Sequence, residues 1–268
     1  MDATYVMPRD RNPPYLMRGD RLPTVGVLQK LLNARADAGL KVDGVFGKRT
    51  EDAVWTFQMQ RFINENGMVL SKTWTRLTAG LSLPILDVVD VQDEEFRLVD
   101  IPTLRAVGAD VIEIGGQSHG VPQVVELVKR HIAAKSLYYL RLHAHGWHGQ
   151  INLGRDTSIP NPTGQEFSAI QSVKGIRPII LALAPVFSPY GSVLMTSCGT
   201  GGARSGRVLV QGMANTLGVP VTGALYEESF SAMTTFRLEG KYFTACPNNM
   251  SLAAWCFGLP DVPRSSPP

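Results

Sequence analysis

The stretch that most constrains this chain is Gly191-Ser192-Val193-Leu194-Met195-Thr196-Ser197-Cys198-Gly199-Thr200-Gly201-Gly202. Val193 to Thr196 reads as a buried strand. A thiol follows, and then glycines that only a tight loop requires. A second stretch has the same grammar: Leu137-Tyr138-Tyr139-Leu140-Arg141-Leu142 is an apolar run that ends in His143-Ala144-His145-Gly146. Open α/β sheets gather ligands at the carboxyl ends of their strands. Two neighbouring strands with these ends would bring imidazole and thiol together, the minimum equipment of a thiol nucleophile.

Composition narrows the classes. The chain has 268 residues, 44% of them hydrophobic and 18% charged, enough for two domains with real cores. A net charge of +3 is too small to argue for nucleic acid, though it is compatible with an anionic wall polymer. Cys198, Cys246 and Cys256 form neither a disulfide framework nor a metal-ligand spacing, and a Cys246–Cys256 bridge stays open. His143, His145 and His148 come with no carboxylate or thiol positioned by sequence, so no metal and no cofactor is expected. Gly199 to Gly206 lacks the Gly-Lys-Ser/Thr ending of a phosphate loop. Residues 1–21 hold no apolar signal segment, and no run is long enough to span a membrane.

In chain order, residues 1–20 read as an extended arm. A helix follows with Thr24 as N-cap and Val27, Leu28, Leu31 and Leu32 at helical spacing. The Asp43-Gly44 turn, a second helix carrying Val54 and Phe57, and a short third helix around Trp74 complete a unit at 21–80. Leu28-Gln29, Val42-Asp43-Gly44-Val45-Phe46-Gly47, Thr50, Phe57-Gln58 and Thr73-Trp74-Leu77 resemble a peptidoglycan-binding domain of the small three-helix type. The resemblance implies a wall glycan partner and marks Asp43, Gly44, Phe46, Gly47, Thr50 and Trp74 as its motif. Phe46, Val54, Phe57 and Trp74 are expected to be core. Gly67-Met68-Val69-Leu70-Ser71-Lys72 departs from the family's second Asp-Gly-x-x-Gly turn.

Residues 81–108, with Asp87, Asp90, Asp93, Glu94, Glu95 and Asp100, read as a solvated acidic linker or edge. From 109 to 258 strands alternate with helices, which implies an α/β/α domain with a mostly parallel sheet. Within it, Ile176–Phe187 reads as a helix and Phe236–Phe243 as a hairpin about Glu239-Gly240. Residues 149–176 read as a polar insertion and 259–268 as a loose tail.

The His-Gly block followed by the Ser-Cys-Gly block resembles the caspase–gingipain–clostripain clan of cysteine peptidases, and residues 109–258 resemble bacterial caspase-like domains. The resemblance implies Cys198 as nucleophile, His145 as general acid/base, and the backbone N–H groups of Gly146 and Cys198 as oxyanion donors. It offers Glu227, Glu228 or Asp156 for an acidic specificity pocket, with His119 lining the cleft. The expectation is a wall-targeted cysteine peptidase that hydrolyses a peptide or amide bond, a lysin or exported antibacterial effector. Such a protein would be made in the cytoplasm and act at the wall or periplasm after non-classical export or lysis. Its alternative is a non-catalytic caspase-like adaptor in a phage-tail-like or secretion assembly.

Overall fold

The computed structural model describes residues 14–63, 66–92, 94–115, 120–153, 172–228, 231 and 235–262. Three helices open the chain: α1 (Pro23–Ala36), α2 (Lys48–Gln60) and α3 (Ser71–Leu77). Pro23 starts α1 with its φ already set. Thr24 is not the N-cap; that position is Leu22, and Thr24 is buried inside the first turn. Val27, Leu28, Leu31 and Leu32 are buried as their spacing predicts, together with Phe46, Val54, Phe57 and Trp74.

Two glutamines build the turns between these helices. Gln29 Oε1 accepts from the N–H groups of Asp43 and Gly44, both at 2.9 Å. Its Nε2 donates to Asp43 Oδ1 (3.0 Å), the Val45 carbonyl (3.1 Å) and Thr50 Oγ1 (3.2 Å). Gln58 repeats the device: Oε1 accepts from Gly67 N–H (2.9 Å), and Nε2 donates to the Met68 carbonyl (2.6 Å) and Thr73 Oγ1 (3.0 Å). Gly44 and Gly67 both have left-handed backbone, at φ 75° and 81°. Gly44-Val45-Phe46 to Thr50 and Gly67-Met68-Val69 to Thr73 are therefore equivalent turns, and the second keeps the geometry after losing the motif.

The remaining elements are β1 (Ile85–Asp90), a π-helical turn Phe96–Asp100 that runs into α4 (Ile101–Ala106), β2 (Val111–Ile114), α5 (Gly120–His131), β3 (Leu137–His143), the short β4 (Gly146–Trp147) and β5 (Gln150–Ile151), α6 (Ser172–Leu181), β6 (Phe187–Met195), α7 (Ala203–Leu217), β7 (Val221–Ala224), β8 (Tyr242–Ala245) and α8 (Leu252–Phe257). One six-stranded sheet has the order β2-β1-β3-β6-β7-β8, all parallel except β8, which runs antiparallel to β7. This is the α/β architecture with a mostly parallel sheet.

Several expectations are corrected. The acidic stretch is no solvated edge: every residue of β1 is buried, and so is Asp100. Asp87 and Asp100 are held by cations that lie far along the chain, while Glu94 and Glu95 are exposed as the reading expected. Ile176–Phe187 is not one helix: α6 stops at Leu181, a 3-10 turn covers Ala184–Val186, and Phe187 begins β6. Residues 236–243 do not fold back on themselves, because Tyr242 and Phe243 pair with Ala224 and Gly223 of β7. The arm is docked from residue 14 onward: Trp74 Nε1 donates to the Pro14 carbonyl (2.7 Å), and Leu16 pairs with Val69. Cys246 and Cys256 are free thiols.

Successive residues of the strands face opposite sides. Leu86, Val88, Leu140, Leu142, Val193 and Met195 form one core with α5, α6 and α7. On the other face Ile85, Tyr139 and Leu194 join the core of the three-helix unit, while Val89 packs with Phe96, Ile101, Leu104 and Phe236. The three-helix unit thus serves as part of the covering layer that a parallel sheet requires. Helix α8 seals the joint. Any Cβ at Gly26 would sit 2.4 Å from Cys256 Sγ, and one at Gly44 would sit 2.9 Å from the same sulfur.

Because the glutamine amides satisfy buried backbone donors, Gln29→Ala and Gln58→Ala are each expected to cost about 2–3 kcal/mol of unfolding free energy. Because the core is shared, the loss is expected in a single cooperative urea transition of the full chain. Two separated transitions would contradict the shared layer.

Candidate functional site

The site forms where β3 and β6 end side by side. Their parallel register pairs Leu142 with Met195, and Thr196 N–H donates to the Leu142 carbonyl at 3.0 Å. His145 and Cys198 follow these paired residues at equal distance along each strand. His145 is exposed and Cys198 half-buried. The imidazole of His145 sits edge-on to the Phe96 ring, centroids 5.3 Å apart, and its carbonyl accepts from Asn152 N–H at 2.9 Å. Cys198 Sγ lies 3.4 Å from the Glu228 N–H that donates to it and 3.7 Å from the Glu228 carbonyl.

Glycines bring the two loops into contact. A Cβ at Gly146 would lie 2.6 Å from Thr200 Cγ2 and 2.9 Å from Ser197 Cβ. The physical need for glycine there is therefore the neighbouring loop, whatever a substrate adds. At Gly202 a Cβ would lie 2.7 Å from the His148 ring, and at Gly149 it would lie 2.8 Å from Ser205 Cβ. Ser205 Oγ donates to the His148 carbonyl at 3.0 Å. The antiparallel β4–β5 ribbon thus clamps onto the cysteine loop, with exposed Trp147 stacked on His148 at its rim. Helix α7 begins at Ala203, shortly after this loop.

Beneath the rim lies a buried ionic cluster. Arg141 donates from Nε and Nη2 to the two oxygens of Asp87, at 2.7 and 2.9 Å. His143 bonds Asp87 Oδ1 through Nε2 (2.7 Å) and Asp100 Oδ2 through Nδ1 (3.0 Å). Thr235 Oγ1 donates to Asp100 Oδ1 at 2.7 Å, and Arg141 lies over the Phe236 ring at 5.4 Å. Burial alone would lower the pKa of His143, but the bonds to Asp100 and Asp87 outweigh it and hold the imidazole above its ordinary range. Burial would likewise raise Asp87, and the charges of Arg141 and His143 overturn that, leaving the carboxyl below its ordinary range. Asp100 belongs to the same π turn as Phe96, so the cluster fixes the segment that carries the contact to His145. π turns of this kind recur at functional sites.

His145, Gly146 and Cys198 are gathered at one rim. Glu228 adjoins the sulfur through its backbone, but its carboxylate accepts from Glu239 N–H at 2.7 Å and burial raises its pKa. Glu227 is exposed. His119 and Asp156 lie outside the described residues. Among the described residues no group of histidine, cysteine and carboxylate side chains is arranged to hold a metal. Phe96 and Thr235 were not singled out by sequence, and Asp100 was named only as part of the acidic run. A usable signal did exist: an Asp inside Ile-Leu-Asp-Val-Val and an Arg inside Leu-Tyr-Tyr-Leu-Arg-Leu announce buried charges that need partners.

The motif residues of the first domain are structural in their contacts. Phe46 and Trp74 are core, Asp43 and Thr50 bond Gln29, Gly44 makes the turn, and Gly47 precedes α2 as its N-cap. Residues 21–77 match the family model described as a putative peptidoglycan binding domain. The chain therefore carries a domain of peptidoglycan-binding type across α1 to α3. Among the described residues no helix is long and apolar enough to cross a membrane.

Arg141→Met leaves Asp87 buried beside a neutral side chain and is expected to cost about 3–5 kcal/mol. The raised His143 pKa means that its stabilisation is complete below the ordinary imidazole value and is lost as pH rises through the raised one. Asp87 acts in the opposite sense: its contribution is complete above the ordinary carboxylate value and is lost as pH falls through the lowered one. The stability gap between wild type and His143→Gln, read from urea midpoints, should therefore shrink as pH climbs above about 6.5. A pH-independent gap would contradict a charged His143.

Proposed function

We propose that the chain is a cell-wall-targeted cysteine peptidase of caspase-like fold. Cys198 is its nucleophile, His145 its general acid/base, and the N–H groups of Gly146 and Cys198 its oxyanion donors. The observation that carries this reading is the register of β3 and β6, whose paired ends lead to an exposed imidazole just past one strand and a half-buried thiol just past the other.

The chemistry follows from those groups. The Cys198 thiolate attacks an acyl carbon, and the carbonyl electrons move onto oxygen, where fixed N–H donors receive the charge. The imidazolium of His145 gives its proton to the departing nitrogen as the carbon–nitrogen bond breaks. Water then attacks the thioester, the proton returns to His145, and the thiolate leaves. Glu228 N–H donates to the sulfur at 3.4 Å and helps fix its position. The peptidoglycan-binding domain holds this centre on wall material and raises the local concentration of stem peptides and wall-associated proteins.

The test uses purified full chain with wall fragments and a peptide library, products read by mass spectrometry. Cleavage is expected with wild type, none with Cys198→Ala, and a loss of at least a hundredfold with His145→Ala. Thiol alkylation is an independent measure. Burial pushes the Cys246 and Cys256 thiols up to about 11 and about 12. Near neutral pH, Cys198 should be labelled at least a hundredfold faster than either. Equal, slow labelling of all three would favour the adaptor alternative.

A further inference from the structure

Between the first domain and the end of the sheet lies an open groove of about 610 Å³, lined by Arg18, Arg21, Arg237, Lys241, Tyr242 and Leu225 among others. Its cations come from separate segments: Arg18 from the docked arm, Arg21 from just before α1, Arg237 from the bend before β8, and Lys241 from the position immediately before that edge strand. Among the described lining residues Asp20 is the only carboxylate, and it is engaged by Arg237 Nη2 at 3.1 Å and by Met17 N–H at 2.8 Å. Arg18 reaches Glu51 at 3.5 Å. Arg21 and Lys241 are exposed and make no ion pair among the described residues. The arm is fixed in place by Arg21 N–H, which donates to Tyr242 Oη at 2.8 Å.

We infer that this groove binds the carboxylates of an extended acidic peptide, a substrate of the same chain's candidate peptidase centre. This rests on the peptidase reading above and adds a substrate class to it. The floor mixes cations with the apolar surfaces of Leu225, Tyr242 and Leu252, which suits peptide side chains and offers little to a bare phosphate polymer. A relay of hydrogen bonds ties the groove wall to the residue beside the sulfur: Gly240 lines the groove, the neighbouring Glu239 N–H holds the Glu228 carboxylate, and Glu228 N–H donates to Cys198 Sγ. Charge-assisted hydrogen bonds from arginine are the strong, directional contacts that carboxylates select.

The probe is fluorescein-labelled tetraglutamate with blocked ends, titrated by anisotropy into the full-length Cys198→Ala protein at low ionic strength. Saturable binding is expected, weakening with added salt and competed by unlabelled tetraglutamate but not by tetraglutamine. Arg21→Glu with Lys241→Glu should weaken it about tenfold or more, while Lys241→Arg should leave it intact. An unchanged urea midpoint in the doubly reversed protein ties the loss to charge rather than folding. Unaltered binding by that variant overturns the inference, as does displacement of the probe by inorganic phosphate at equal carboxylate-equivalent concentration. The two readings fail separately. Cys198-dependent cleavage with no tetraglutamate binding removes the groove and leaves the peptidase. Groove-dependent binding without Cys198-dependent cleavage of any peptide keeps the groove and removes the peptidase.

Discussion

Four buried ionic side chains on one sheet face set the terms for the rest of the molecule. Asp87, Arg141, His143 and Asp100 come from β1, β3 and the π turn, and each is almost wholly removed from water. Isolated, any of them would be prohibitively costly to bury. Together they neutralise one another and fill the hydrogen-bonding positions between neighbouring strands, with Asp87 opposite Arg141 in the parallel register. A shift of that register by one residue would put these charges into the hydrocarbon core on the other face. The cluster therefore specifies which strands are neighbours, and through Asp100 it also places the helix turn beneath His145.

The same face explains why the two halves of the chain are not independent. A parallel sheet needs cover on both sides, and here the three-helix unit supplies part of one side while α4 and the π turn supply the rest. The ionic cluster lies between these two apolar patches. Phe236 covers it, and Tyr15 from the docked arm rests against Phe236 with ring centroids 4.8 Å apart. Wall recognition and the candidate reactive centre thus share a structural layer.

What could be read from the chain followed the range of the interactions. Local periodicity identified the three helices and β3, because Val27, Leu28, Leu31 and Leu32 repeat with the helical turn and Leu137 to Leu142 form one apolar block. The positions of His145 and Cys198 just past the ends of β3 and β6 were legible, because each follows an apolar block that ends in glycine. β1 was legible only in part. Asp87 inside an apolar block announces a buried charge, but its partners Arg141 and His143 lie more than fifty residues away. The turn at Gly67 was obscured for a different reason: its motif had changed while Gln58, which builds it, sits on the preceding helix. Phe187 likewise opens β6 through its pairing with Leu137 of β3, which a window containing Pro185 and Pro189 does not suggest.

The seating of Cys256 on Gly26 and Gly44 has a consequence for how such a protein would work at a surface. Domains joined by a flexible tether sweep out a volume that grows with the length of the connecting chain. Here the interlocked layer removes that freedom, so the span from the anchoring patch to the sulfur of Cys198 is fixed. On the peptidase reading proposed above, a chain built this way would behave as a ruler: once moored, it would act only on bonds lying at one set reach and bearing.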